Sequence, residues 1–140
     1  MKIPGDAIGA VAYAFERAHG NLLGEYEESE IRFYGLDGHE PDVLADALRA
    51  GILEGDADYR SQAYWALGKR FDRELIPLFR ERLAAEMREE PSIVYQIMIA
   101  LDNLEEPVFS EARNGSYSVL DGDLNLLDAE AYLGKLHEQK

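Results

Sequence analysis

Between Ser92 and Leu104 the chain reads Ile93, Val94, Tyr95, Gln96, Ile97, Met98, Ile99, Ala100, Leu101, a run in which Gln96 is the one polar residue. With apolar side chains at every helical angle it has no face to offer water, so it predicts a helix over about 92–104 covered on all sides by its neighbours. The rest of the chain must therefore supply enough amphipathic helices to surround it.

Those helices are legible in the pattern. Ile8, Val11, Ala12, Phe15 and Ala18 recur at helical spacing between Asp6, a predicted N-cap, and Gly20, a predicted stop. Pro41 suits the first turn of a helix to about Leu53, with Val43, Leu44, Ala47, Leu48 and Ile52 inward and Gly51 weakening its last turn. Asp58 is expected to cap a helix to about Arg70. Asp72 is expected to cap the next, from Arg73 to about Arg88, which buries Leu75, Ile76, Phe79 and Leu83. A last helix over about 125–137 is expected to bury Leu127, Ala131 and Leu136 and to place Lys135 and His137 at its cation-favouring end. Two segments stay open: 21–38, where an acidic run blurs the periodicity, and 105–122, where Tyr117 and Val119 alternate as a short strand would.

At 140 residues the length fits one domain. There is no cysteine, which excludes disulfide scaffolds, thiolate metal sites and thiol nucleophiles. Lys2 alone precedes the apolar stretch near the N-terminus, Pro4, Gly5 and Asp6 interrupt it, and Glu16 and Arg17 follow at once. A secretion signal is not expected, no stretch reaches bilayer length, and the expected address is the cytoplasm. Net charge is −14, concentrated outside a nearly neutral stretch at 59–90. Such a surface repels nucleic acid and anionic lipid and attracts basic proteins.

The two helices at 59–70 and 93–104 superpose at an offset of 34 residues, with Ala66 on Ala100, Leu67 on Leu101 and Ala63 on Ile97. The stretch YRSQAYWALGKRFDRELIPLFRERL resembles a HEAT-like repeat of the short bacterial kind: Arg60, Ala63, Ala66, Leu67 and Gly68 stand where that family has its first-helix signature, and Ile76, Pro77 and Phe79 match its second helix. The resemblance covers about 41–104 and departs from the pattern at Asp102, which replaces the glycine. It implies an all-α fold: a short right-handed α-solenoid of antiparallel helix pairs with atypical capping ends, and a single domain over 1–140 in which 105–140 is a loop and cap helix. A tetratricopeptide reading fails because Trp65 stands one position too close to Leu67 and Gly68. Short acidic chains of this plan look like bacterial immunity proteins, and that second analogy implies occlusion of a basic toxin, such as a nuclease. Fold alone does not assign it.

No catalytic constellation is visible, and no enzyme activity, cofactor or metal is expected. His19, His39 and His137 are scattered, and neither a phosphate-binding glycine loop nor G-x-S-x-G occurs. Asp121, Asp123 and Asn125 alternate like the start of a calcium loop, but Leu126 and Tyr132 occupy its glycine and glutamate positions. The basic residues from Lys69 to Arg88 all have acidic neighbours, as on a solvated helix face. Trp65 is expected to pack in the core or between repeats.

The candidate partner-binding residues combine carboxylates with a ring: Glu25, Glu27, Glu28, Glu30, Tyr34, Asp37, Asp42 and Asp46. The function expected is binding of a basic protein. A HEAT-like adaptor and a HEAT-like lyase component are the alternatives.

Overall fold

The computed structural model describes residues 1–138 and is all-α: helices α1 (Ile8–Ala18), α2 (Glu25–Phe33), α3 (Pro41–Glu54), α4 (Ala57–Leu67), α5 (Ile76–Glu89), α6 (Val94–Asn103) and α7 (Gly122–Glu138), with short 3-10 turns and no strand among the described residues. None of these helices is long and apolar enough to cross a membrane. The chain divides into two compact units, Met1–Phe71 and Asp72–Lys140.

In the first unit α2, α3 and α4 all pack on α1, and α3 also packs on α4. α1 buries Ile8, Val11, Ala12 and Phe15, as its spacing predicts, but Ala18, in its last turn, is exposed. Its start differs: Asp6 lies inside a 3-10 turn, Gly5–Ala7, and its side chain caps nothing. Gly20 terminates the helix with φ 101°, a conformation open to glycine at little cost. The blurred segment 21–38 contains α2, which buries only Ile31 and so shows almost no apolar periodicity.

α3 opens at Pro41 and buries Leu44, Ala45, Ala47, Leu48 and Ile52. Val43, expected inward, is exposed, because the stripe through Leu44, Leu48 and Ile52 leaves it on the helix flank. The cap of α4 is Asp56, whose carboxylate accepts from the Tyr59 amide at 2.9 Å, and Asp58 sits two residues further on, within the first turn, accepting from Gln62. Gly51 also has a purpose that its helix propensity hides. A Cβ there would lie 2.6 Å from the Tyr59 hydroxyl, and one on Gly55 would lie 2.7 Å from the Tyr59 ring. The two glycines thus make room for Tyr59, whose phenol donates to the carbonyl of Ile3 at 2.7 Å.

α4 buries Ala63, Tyr64, Ala66 and Leu67. Trp65, expected in packing, projects from the opposite side of the helix and is 38% exposed, with the Lys69 ammonium 5.7 Å from its ring centroid. The helix tightens into the 3-10 turn Gly68–Arg70 and stops at Phe71, whose φ is 51° and whose ring stacks on His19.

In the second unit α5, α6 and α7 pack on one another. Asp72 caps the 3-10 turn that leads into α5, and Leu75, Ile76, Phe79 and Leu83 are buried as expected. α6 buries Val94, Ile97, Met98, Ala100 and Leu101, and none of its apolar side chains is fully exposed. α7 reverses the expected face. It buries Asn125, Ala129 and Tyr132, while Leu127 and Ala131 are exposed and Leu136 is half-buried. Lys135 and His137 do lie in its last turn.

The connection before α7 contains no strand at Tyr117 or Val119. It turns through the 3-10 helix Glu111–Arg113 and two left-handed residues, Asn114 and Gly115. Arg113 organises it. Its side chain, only 8% exposed, donates to Asn125 Oδ1 and Asp128 Oδ2 at 2.9 Å each and to Asp121 Oδ2 at 3.3 Å. Its guanidinium also lies 5.4 Å from the centroids of Phe109 and Tyr117, which stack on each other at 3.8 Å.

Candidate protein-interaction surface

α2 is short, nine residues, and carries three carboxylates in its first turn, Glu25, Glu27 and Glu28, where the helix dipole favours negative charge. Because it buries only Ile31, helical geometry decides what the remaining side chains do. Tyr26, Ser29 and Phe33, spaced three and four apart, lie opposite Ile31 and point away from the core. Tyr26 is 64% and Phe33 78% exposed. Glu25 and Glu30 flank this outward stripe. The Tyr26 phenol is raised in pKa, first by its hydrogen bond to Glu30 and then by that carboxylate's charge.

The sequence-predicted carboxylates therefore do not form one array. Glu27 and Glu28 lean toward the core side of α2 and are half-buried. The Glu27 carboxylate folds back over Gly24, within 2.7 Å of where a Cβ would stand. Glu28 accepts from Arg17 at 2.7 Å, and the same guanidinium reaches Asp37 at 3.2 Å, so α1 binds both ends of the α2 segment together. Tyr34, half-buried, meets Phe33 edge to face with centroids 4.9 Å apart. Asp42 and Asp46 sit on α3, which packs on α1 and α4 and has no extensive contact with α2, and Asp42 is engaged by Arg70 at 2.5 Å. Glu25, Glu30, Tyr26 and Phe33 are the coherent group. Tyr26 and Phe33 were missed because an aromatic in a blurred acidic segment reads as core until the helix phase is known.

The second unit has a cleft of about 490 Å³ between residues 107–112 and α7, lined by Phe109, Glu111, Asp128, Tyr132 and Lys135 among others. Behind it, Tyr132 donates to Glu106 Oε1 at 2.6 Å and accepts from Arg80 Nε at 2.8 Å, while Arg80 also donates to Glu106 at 2.6 Å. Arg73 reaches the Leu104 carbonyl and stands 3.9 Å from Glu106. Burial and the bond to Glu106 push the Tyr132 phenol up to about 12. Burial opposes ionisation of Glu106, but the hydrogen bonds from Tyr132 and Arg80 and the charges of both arginines outweigh it and hold its pKa below the ordinary value. The phenol stays protonated and the carboxylate stays ionised across the neutral range. The group therefore ties the end of α6 to α5 and α7, and its pKa values are pushed away from those suited to proton transfer near neutrality.

The calcium-like alternation is likewise engaged within the chain. Asp121 and Asn125 both accept from Arg113, and Asn125 donates to the Ser118 carbonyl at 3.0 Å. No group of three or more metal-ligating His, Asp or Glu side chains converges among the described residues. The signal for the Arg113 cluster was present in the sequence: it is the one arginine after Glu89, and it stands among aromatics and aspartates.

The chain matches no protein-family model, and no significant match was found to any curated protein or solved structure.

Proposed function

We propose that this protein is a protein-binding module that recognises a basic partner through the outward stripe of α2. The observation that carries the reading is the exposure of Tyr26 and Phe33 on a short helix that flanks them with exposed Glu25 and half-buried Glu30. Interface energy concentrates in large aromatic side chains that become desolvated, and a carboxylate rim selects and steers a cationic surface. In its narrower form, the reading is an acidic immunity-type protein of HEAT-like build that occludes a basic toxin. That form rests on size, net charge and the repeat resemblance.

The test is capture from a lysate of the source organism with wild-type protein and with a Tyr26→Ala, Phe33→Ala, Glu25→Lys variant, washed at low salt and at about 0.5 M, where the Debye length is a few ångströms. A basic protein held by the wild type, lost from the variant and released by salt supports the reading. Equal retention by both proteins removes α2 from it. The second reading, an adaptor docked through apolar surface, draws on the exposed Leu22 and Phe33, which precede and end α2, and predicts a complex that survives the salt wash.

A further inference from the structure

The reversed face of α7 leaves an apolar stripe in solvent. Leu124 is 50% and Leu127 61% exposed, and Leu120, immediately before the helix, adjoins Leu124 and is more exposed still. Ala131 and Gly134 continue the stripe toward the C-terminus, so that positions 120, 124, 127, 131 and 134 alternate steps of four and three, the spacing of a coiled-coil seam. A Cβ on Gly134 would meet nothing within 4 Å.

Three leucines occupy the N-terminal half of this seam and two small residues the C-terminal half. The flanking charges follow the same division, with Asp121 and Asp123 at the start and Lys135 and His137 in the last turn. We propose that α7 pairs antiparallel with α7 of a second copy of this chain. One register satisfies these relations within α7: Leu124 lies on Gly134 of the second copy, Leu127 on Ala131, Asp121 beside Lys135 and Asp123 beside His137, each pair occurring twice about the two-fold axis, while Leu120, before the helix, falls opposite Glu138 at the rim of the pair. Large side chains meet small ones, so the helices approach closely, and acids meet the basic end. A parallel pair sets Asp121 and Asp123 against their own copies and leaves the small half of the seam unfilled.

Two like-charged contacts fall near the axis. Asp128 is already held within its own chain by Arg113 and by the Ser110 amide, at 2.9 and 3.1 Å. Glu130 then faces Glu130 of the second copy and is the residue that weakens the pair. Two single helices bury less than a standard interface, so association is expected at micromolar rather than nanomolar concentration.

Sedimentation of the full chain between about 5 and 500 μM tests this directly, a range set by the expected small interface. A monomer–dimer equilibrium is expected, abolished by Leu127→Glu and tightened several-fold by Glu130→Gln, with helicity unchanged because both positions are exposed. Orientation is read separately. The chain has no cysteine, so a mixture of Leu124→Cys and Gly134→Cys variants is expected to oxidise mainly to the mixed disulfide. A monomer at every concentration overturns the proposal, as does a dimer indifferent to Leu127→Glu. Preferential self-crosslinking of Leu124→Cys overturns the antiparallel arrangement.

Discussion

The phenol of Tyr59, in the first turn of α4, donates a hydrogen bond to the carbonyl of Ile3 and lies across the backbone of Gly51 and Gly55. A helix-interior glycine replaced by alanine ordinarily gains about 1 kcal/mol of helix propensity. Here the new methyl would meet a rigid ring at 2.6 to 3.0 Å. Overpacking costs about 1–3 kcal/mol, so Gly51→Ala is expected to destabilise despite its favourable propensity. Tyr59→Phe, which removes the bond but keeps the ring, is expected to cost about 1 kcal/mol. Urea unfolding of both variants measures this; a Gly51→Ala midpoint above that of the wild type contradicts the packing argument.

Arg113 holds the connection before α7 through three side-chain acceptors. Removing one partner of a buried charged network costs about 3–5 kcal/mol, and Asp121 stays partly solvated, so Arg113→Ala is expected near the lower end of that range. Arg113→Lys is expected to recover only part of the loss, because an ammonium cannot reproduce the planar fork or its place against Phe109 and Tyr117. A lysine variant as stable as the wild type counts against the geometry.

The Tyr132–Glu106 pair sets opposite pH limits. The folded phenol titrates at about 12 against an ordinary value of 10.0. Its contribution is therefore complete below pH 10 and is lost as pH rises between 10 and 12. The carboxylate is depressed below its ordinary 4.5, so its contribution is present above that value and disappears as pH falls through the lowered folded pKa. Denaturation midpoints measured against pH are expected to flatten on the alkaline side in Tyr132→Phe and on the acid side in Glu106→Gln. Unaltered alkaline curvature in Tyr132→Phe assigns that limit elsewhere.

Trp65 is the single tryptophan of the chain and stands partly in solvent beside Lys69. Native fluorescence is expected to be accessible to acrylamide, and Lys69→Met is expected to change its intensity while leaving the unfolding midpoint within about 0.5 kcal/mol, as for most surface changes. Emission shielded from quencher in the native protein contradicts this placement.

The helices that were legible from sequence are those whose apolar residues do the burying: α1, most of α3, α4 but for its cap, α5 and α6. α2 was not, because one isoleucine is too weak a period to outweigh four glutamates. α7 was legible as a helix and misread in phase. Leu127 and Ala131 outrank Asn125 and Tyr132 on any hydrophobicity scale, yet Asn125 and Tyr132 are inside, because Arg113, Ser118, Arg80 and Glu106 satisfy their polar atoms. Those partners come from other helices and from an irregular connection, which local periodicity does not place. The candidate acidic residues lie on three different segments, α2, the turn at Asp37 and α3. Which of them share a face depends on the phase of α2, and that is fixed by Ile31 alone.

The bond between Tyr59 and Ile3 also has a temporal side. α1 is synthesised before the helix that completes its packing, and the acceptor at Ile3 precedes its donor by 56 positions. On the ribosome, Ile8, Val11 and Phe15 emerge with their apolar faces uncovered, are covered in part by α2 and α3, and wait for α4 to complete the packing, so the N-terminal unit is complete only after residue 67 has cleared the exit tunnel. Nascent chains halted before Ala57 lack α4, one of the three helices that pack on α1, and the anchor of Ile3, and so expose apolar surface of the kind chaperones and proteases recognise.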